Sequence, residues 1–477
     1  MHAERSTIAR HALTVLAGQL AVMAFGVIDT VVAGRHAPET LAALSIGSAI
    51  FVSVYVALMG MVQALMPLWA EQRGSDSTAA LGASFRQALY LCAAASVLGM
   101  AVLLSPGPLL EWTDVPPALR QDASRYLAVL AMALPPALLF RMYSTLCQAL
   151  GRPQLVTWLQ VAALLVKLPL SVWLTFGGVG VPALGAVGCA WATLAVNFTL
   201  LALALVLLRR LDIYAPLRLW QRLERPDWAL IGSFARLGVP AGLAITVEVT
   251  SFTLMALFIA RQGTLASAGH QIAANVAAVA YMVPLSLAIA TSARVSFWRG
   301  AGNEAMARAA TFMGFRLAAL ASIALAAIIF VANDWLAGLY TADAQVVALT
   351  AGLLAWVALY HLADAVQTLC VFVLRSYRVT VAPLLVYCVL LWGVGLGGGY
   401  ALAYRPLAGQ PALYSPTPFW AASALALGVT AALFAWMLQR AALPAAAAAA
   451  AVSAAAVDTV QNGNGNGNGV TLPAAPR

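Results

Sequence analysis

The chain has 477 residues, of which 62% are hydrophobic and only 9% are charged, and its formal net charge is +9. With a mean hydropathy of +0.88, it has too little polar surface for a soluble globular domain of this length. Its apolar runs are continuous rather than alternating, which excludes a β-barrel. We therefore predict an all-α polytopic membrane protein.

Twelve apolar spans are predicted along the chain, each long enough to cross a bilayer. In the first half they cover residues 11–34, 41–69, 84–105, 125–148, 154–176 and 183–208, and in the second half residues 229–260, 264–293, 312–332, 346–374, 380–403 and 418–439. The longest spans are expected to tilt or bend. Prolines in or near the spans are candidate kinks: Pro67, Pro135, Pro136, Pro169, Pro240 and Pro284.

The basic residues predict the orientation of these spans. Nineteen of the 26 lysines and arginines lie on the side that holds both termini, five lie on the other side, and Arg141 and Lys167 fall within spans. Positive charge concentrates on the cytoplasmic side of bacterial inner-membrane proteins. We therefore predict a multi-pass protein of the bacterial cytoplasmic membrane with both termini cytoplasmic. This distribution explains the net charge without nucleic acid, and Arg141 is expected to snorkel toward a span end.

The chain divides into two halves of six spans. An arginine- and proline-rich linker at residues 209–228 separates residues 1–208 from residues 229–440. The segments ARHALTVLAG…TLAALS and ARLGVPAGLA…TLASAG are faintly alike at a separation of about 224 residues, which favours two parallel six-helix repeats. Residues 441–477, with an alanine run and NGNGNGNG, are predicted to be a disordered cytoplasmic tail.

A few ionisable side chains inside the spans are the candidates for function. Asp29 lies in the first span, Glu248 in the seventh and Asp364 in the tenth, and Lys167 is the only lysine of the chain. A carboxylate at bilayer depth is costly unless a bound proton, Na⁺ or organic cation neutralises it, so such residues usually face a cavity or a bundle interior. The alternative is internal ion pairing, for instance of Lys167 with Glu248 or Asp364.

The neighbours of Asp364 favour a cation or proton site. Tyr360 precedes Asp364 by four residues and Gln367 follows it by three, so all three lie on one helix face and add oxygen ligands. The five cysteines lie inside apolar runs without a CxxC or Cys/His cluster, so neither a disulfide framework nor a metal site beyond a possible Na⁺ is indicated.

Four stretches of the chain resemble the multidrug and toxic compound extrusion (MATE) transporters, especially the NorM-type branch. They are GVIDTVVAGRHAPETLAALS, GVGVPALGAVGCAWAT, the segment from RLGVPAGLAITVEV through GHQIAANV to MVPLS, and YHLADAVQTLCVFVLRSYR. The resemblance extends from about residue 8 to residue 440. It implies two six-helix lobes around a central cavity that opens alternately to each side.

The resemblance also implies a function and assigns residues to it. It implies a monomeric antiporter that needs no cofactor and exports organic cations in exchange for H⁺ or Na⁺. Asp29 matches the first-lobe acid, while Glu248 and Asp364 match the second-lobe cation site, and Tyr360 matches the tyrosine one turn earlier. His270 and Gln271 match an HQ pair, which is more often a polar boundary. One turn further on, Asn275 is a secondary candidate.

The fifth span departs from the family pattern, because VKLPLSV places Lys167 and Ser171 where NorM-type relatives have asparagines. A lysine beside Glu248 or Asp364 would replace Na⁺ and make protonation the coupling event. Alternatively, Lys167 itself loses its proton and titrates together with the acids, or it points toward the membrane interface and has no role.

A lipid-linked oligosaccharide flippase with the same helix plan is the competing interpretation. Such a flippase is expected to need cationic residues for a pyrophosphate head group, and here the candidates are mainly acidic, with Lys167 and Arg141 as the exceptions. An intramembrane enzyme is not indicated, since the sequence has no HExxH, GxSxG or paired catalytic aspartate motif.

Overall fold

The computed structural model describes residues 2–112, 116–178, 180–406 and 411–464. Twelve long helices in these residues are apolar enough to cross a membrane, one for each predicted span. They are α1 His2–His36, α2 Pro38–Gly74, α3 Thr78–Leu104, α4 Pro117–Ala149, α5 Pro153–Phe176, α6 Ala186–Arg210, α7 Trp228–Ala260, α8 Thr264–Gly300, α9 Glu304–Val331, α10 Ala344–Ser376, α11 Val381–Tyr404 and α12 Thr417–Asn464. Short helices cover Gly107–Trp112, Asp212–Leu217 and Asn333–Gly338.

Side-chain caps fix where three of the long helices begin. Asp227 accepts hydrogen bonds from the backbone amides of Ala229 and Leu230 at the start of α7. Asn303 and Asp343 cap the starts of α9 and α10 in the same way. Each cap satisfies amide groups that the first helical turn leaves without partners, so the polar loops end where the apolar spans start.

Two of the helices are irregular. The helix α2 is interrupted at Ala64 and Leu65, immediately before the Met66–Gly74 segment that contains Pro67, as expected for a proline kink. In α11 the residues Cys388–Gly398 form wide π-helical turns. Within these turns, the Trp392 ring donates from Nε1 to the Val247 carbonyl of α7, at 3.2 Å. The other predicted kink sites (Pro135, Pro136, Pro169, Pro240 and Pro284) lie within helices that continue past them.

The helices form two six-helix lobes, α1–α6 and α7–α12, which meet through two equivalent contacts. The helix α1 packs on α8, and α2 packs on α7. Because α1 corresponds to α7 and α2 to α8 in the two lobes, these two contacts are equivalent. The contact between the ends of α2 and α8 is also reciprocal: a Cβ on Gly74 would lie 1.9 Å from the Phe297 carbonyl oxygen, and a Cβ on Gly300 would lie 1.9 Å from that of Glu71. Only glycine permits this backbone approach.

Ion pairs between the lobes lie at the end of the bundle where α1 begins, which we call the basic face. The Glu4 carboxylate of α1 accepts from Nε of Arg294 at 2.6 Å and from the Trp298 ring nitrogen at 2.7 Å, both on α8. The Arg378 guanidinium of the second lobe lies 2.6 Å from the Glu71 carboxylate of the first. The lobes are therefore joined at this face by charge as well as by backbone packing.

The linker between the lobes is attached to α3. The Arg86 guanidinium donates to Glu224 at 2.5 Å, and Tyr90 donates to the Glu224 carbonyl at 2.7 Å. The hydrogen bond from Arg86 lowers the pKa of the Glu224 carboxyl below its usual value. The predicted polar linker therefore packs on the first lobe through hydrogen bonds.

The C-terminal tail differs from its prediction. Residues 441–464, which we expected to be disordered, continue α12 as a helix to Asn464. Alanine has the highest helix propensity, and extending an existing helix avoids the cost of nucleation, so an alanine run directly after a membrane span remains helical. The rest of the predicted tail, residues 465–477, lies outside the described residues.

Candidate functional site

The second lobe buries Asp364 of α10 among hydrogen-bond donors. Its Oδ1 accepts from Nε2 of Gln367 at 2.8 Å and from the Thr368 hydroxyl at 3.3 Å, and the residue is only 3% exposed. The Tyr387 hydroxyl of α11 in turn donates to Oε1 of Gln367 and so fixes the orientation of the amide. The helical spacing that predicted Gln367 beside Asp364 is confirmed, and the same spacing places Thr368 there.

Glu248 of α7 lies one helical turn from Phe252, whose ring contacts that of Tyr360 at 5.8 Å, and Asp364 lies one turn from Tyr360. The two acids are therefore on the facing sides of α7 and α10. Among the described residues, neither carboxylate has a lysine, arginine or histidine nitrogen within 4.0 Å. A positive charge that acts on Glu248 is that of Arg375, which is buried and lies over the Phe372 ring at 4.3 Å. The second lobe thus holds two neighbouring acidic groups without a paired cation.

Aromatic rings enclose the site on the side of Tyr360. The Tyr360 ring contacts Phe252 and Trp420 edge to face, with ring centroids 5.8 and 5.9 Å apart. His270 is buried against the same Trp420 ring at 5.8 Å, so this residue belongs to the lobe interior rather than to a polar boundary as its position near the helix start favoured. Edge-to-face packing fixes ring positions, and it gives Asp364 a rigid wall one helical turn away.

The first lobe contains a separate charged site, built around Asp29 of α1. Lys167 of α5 places its ammonium 2.8 Å from Oδ1 of Asp29 and is only 1% exposed. The ammonium also donates to the Thr193 hydroxyl at 2.6 Å and to the Cys189 carbonyl at 3.3 Å, both on α6. The Ser171 hydroxyl donates to Oδ1 of Asp29 at 3.0 Å. The site therefore joins three helices of one lobe.

This arrangement corrects the prediction for Lys167. We considered pairing with Glu248 or Asp364, but the partner of Lys167 is Asp29. A lysine side chain on α5 reaches α1 and α6 within its own lobe, which the linear sequence does not reveal. The interpretation of Lys167 as a residue facing the membrane interface is likewise wrong, because the side chain is fully enclosed.

Three other residues are placed by the structure outside the two charged sites. Gln271 is exposed, and Asn275 is partly buried on α8. Arg141 is 7% exposed within α4, so it does not reach the surface as predicted. The reason is that α4 is the most enclosed helix of the first lobe. Residues 140–150 are all buried, so neighbouring helices enclose the Arg141 side chain.

Several residues of the sites were absent from the predicted set. Thr368 could have been found, since it follows Asp364 by four residues and so lies on the same face. Other residues lie on different helices from the acids, so no spacing in the sequence relates them to Asp29 or Asp364: they are Thr193, Cys189 and Tyr387. Arg375 is one of the nineteen basic residues that predicted the orientation of the spans, and it directly follows a predicted span. The structure buries it.

Comparison with known proteins gives consistent results for sequence and fold. A sequence profile of the MatE family matches residues 15–173 and again residues 240–401, once in each lobe. The chain is 35% identical over 431 residues to a probable multidrug resistance protein NorM of Aromatoleum aromaticum, covering 90% of this chain and 92% of that one. It is 34% identical over 442 residues to the protein of the same name in Chromobacterium violaceum, covering 92% and 94%.

The fold is also similar to a solved structure. The crystal structure of the eukaryotic MATE transporter AtDTX14 superimposes with a TM-score of 0.80 at 20% identity, covering 94% of this chain and 99% of that one. At this identity the likeness concerns the fold, and it agrees with the two six-helix lobes described above.

Proposed function

Because the chain belongs to the MatE family of membrane transporters, in its NorM-type branch, we propose that it is a secondary antiporter that exports organic cations in exchange for H⁺ or Na⁺. The observation that carries this proposal is the pair Glu248 and Asp364, which the second lobe holds without a paired cation, with Asp364 buried and Glu248 partly buried. Two carboxyl groups in a low-dielectric interior strongly favour uptake of positive charge, whether as a proton, a metal ion or an organic cation.

The donors around Asp364 suit an exchange site rather than a permanently neutral one. Gln367 and Thr368 stabilise the ionised carboxylate, so a bound cation can leave without exposing a bare charge to an apolar interior. Hydroxyl, amide and carboxylate oxygens are also ligands that Na⁺ accepts. Tyr360 borders the site and contributes its ring to a wall against which a flat organic cation can stack.

Export follows if the two lobes alternate between two conformations. In one of them the carboxyl pair takes up H⁺ or Na⁺ and loses its attraction for the organic cation, which leaves. In the other the ion is released and a new organic cation binds. Exchange requires that ion and substrate prefer different conformations or compete for the site, since equal affinity for both conformations shifts no equilibrium.

The remaining parts of the proposal concern location and assembly. We place the basic face in the cytoplasm and the protein in the bacterial inner membrane, following the distribution of arginines. We propose that the chain acts as a monomer, without nucleic acid and with no cofactor beyond the coupling ion. Asp29 matches a family acid, but its pairing with Lys167 sets it apart from the exchange site.

The competing proposal of a lipid-linked oligosaccharide flippase receives less support. A pyrophosphate head group requires uncompensated positive charge, and of the two cationic candidates Lys167 is neutralised by Asp29, which leaves the buried Arg141. The acidic pair in the second lobe would repel such a head group.

The test uses purified protein in proteoliposomes with ethidium as the fluorescent substrate and with Na⁺ and pH gradients imposed separately. We expect one gradient to drive ethidium transport, and we expect Asp364→Asn to reduce that transport at least about 100-fold, because the site loses one of its two carboxylates. The matched control is Asp343→Asn on the same helix, since asparagine is an equally good N-cap. Folded parent protein that transports ethidium under neither gradient would overturn the proposal.

A further inference from the structure

The ammonium of Lys167 lies where a cation bound to the first-lobe acid would lie, and its hydrogen bonds are complete. A lysine ammonium has three N–H donors. Here they face Oδ1 of Asp29 at 2.8 Å, the Thr193 hydroxyl at 2.6 Å and the Cys189 carbonyl at 3.3 Å. The side chain is 1% exposed, so water is not required as a fourth partner.

The carboxylate is equally well supplied with partners. Oδ1 of Asp29 accepts from the ammonium and from the Ser171 hydroxyl, and Oδ2 lies 3.4 Å from the Thr193 hydroxyl. The charge of Asp29 also acts on two titratable groups, the Tyr126 phenol of α4 and the Cys189 thiol of α6. Both are neutral in their ordinary protonated forms, so the cluster has one negative and one positive charge.

This balance makes the uptake of a further cation unfavourable. Protonation of Asp29 would leave a buried ammonium without its counter-charge, and breaking a buried pair in this way is strongly destabilising. Binding of Na⁺ would place a second positive charge beside the ammonium. Neither difficulty exists at Glu248 and Asp364, which have no basic partner within 4.0 Å among the described residues.

We propose that Lys167 is the permanent counter-ion of Asp29, so that the first lobe takes up no exchanged ion and coupling is confined to the second lobe. Lys167 thereby determines which of the two buried acidic sites serves the coupling ion. This inference rests on the proposed antiport function for its transport test, and a second test below is independent of transport.

The transport test removes the charges singly and together. We expect Asp29→Asn and Lys167→Met each to lower ethidium transport at least about tenfold, since each leaves one buried charge unpaired. The double variant Asp29→Asn/Lys167→Met has no unpaired charge, and we expect its transport to return to within about threefold of the parent, with the same coupling ion. A folded double variant that stays inactive, or that changes its coupling ion, would overturn the inference.

The second test observes the carboxyl groups directly and needs no transport. Infrared difference spectra between alkaline and acidic pH show the C=O stretch of carboxyl groups that become protonated. We expect the buried-carboxyl band of the parent to persist in Asp29→Asn/Lys167→Met and to disappear in Glu248→Gln/Asp364→Asn. A band that survives in the second variant and is lost in the first would assign ion uptake to Asp29. If the parent fails to transport but the spectra follow the expected pattern, the antiport proposal fails and this inference stands.

Discussion

The two lobes bury acidic side chains in opposite ways. In the first lobe Asp29 is held by the Lys167 ammonium at 2.8 Å and by hydroxyl groups from two helices. In the second lobe Asp364 receives an amide and a hydroxyl but no cation, and Glu248 adds a second negative charge nearby. Asp29 and Asp364 are both less than 10% exposed, so burial alone does not distinguish these two residues.

The presence or absence of a paired cation, and not the degree of burial, therefore decides whether a buried carboxylate can take up an ion. A carboxylate paired with a lysine has its charge balanced by a cation that belongs to the protein and cannot leave. A carboxylate surrounded only by neutral donors can be ionised or neutralised at modest cost, so its charge can follow the conformation of the protein. The sites are only partly equivalent by internal repeat: α1 and α5 correspond to α7 and α11, but the first site adds α6 and the second adds α10.

Among changes to the neighbours of the buried acids, the largest effect is expected for Gln367→Met. This change removes the donor to Asp364 and leaves the Tyr387 hydroxyl without its acceptor. We expect coupled ethidium transport to fall about tenfold, because a hydrogen bond to a charged group contributes about 1.5–3 kcal/mol. The control is Gln345→Met, at an exposed position of the same helix. Parent-like transport by Gln367→Met would show that the amide does not tune the site.

A matched pair of hydroxyl deletions compares the lobes directly. Ser171→Ala removes a donor 3.0 Å from Asp29, and Thr368→Val removes one 3.3 Å from Asp364. Each is expected to cost about 1 kcal/mol of stability, which thermal unfolding in detergent measures. Only Thr368→Val should also change the concentration of coupling ion that gives half-maximal transport, by about threefold. An equal change in Ser171→Ala would remove the distinction between the two sites.

The smallest effect concerns an acid outside the membrane, whose exposure sets it apart from both buried sites. The Glu224 pKa is lowered by the hydrogen bond from Arg86, so the pair stabilises the folded linker above the usual glutamate pKa, and this contribution is lost as the pH falls through the lowered value. The loss is expected to be under about 1 kcal/mol, since the Glu224 side chain is 44% exposed.

Hydrogen exchange of residues 211–227 at neutral and acidic pH measures this loss, as faster exchange at acidic pH after correction for the intrinsic rate. The Glu224→Gln variant should exchange fast at both pH values. Glu39→Gln, an exposed acid on the opposite face, serves as the control and should behave as the parent. A linker whose corrected exchange does not depend on pH in the parent would contradict the expected role of the pair.

The sequence predicts the fold well and the sites in part. Hydropathy alone predicts all twelve spans, because a bilayer requires long continuous apolar helices. The neighbours of Asp364 on its own helix follow from a period of 3.6 residues. The partner of Lys167 cannot be predicted in this way, since a long flexible side chain can reach several helices and only the packing of these helices selects Asp29. The helical state of residues 441–464 was missed because composition was weighed without the span that precedes it.

The crossing of α2 and α8 at the basic face bears on how the lobes can move. At Gly74 and Gly300 each helix rests on a backbone carbonyl of the other. A contact between two main chains has no rotamers, so it offers no series of partly relaxed positions through which one lobe could slide along the other. We therefore expect this crossing to act as a latch that is either fully engaged or released when the lobes move. The ion pairs around it set how much free energy the release requires, and a larger residue at either glycine would prevent the latch from engaging.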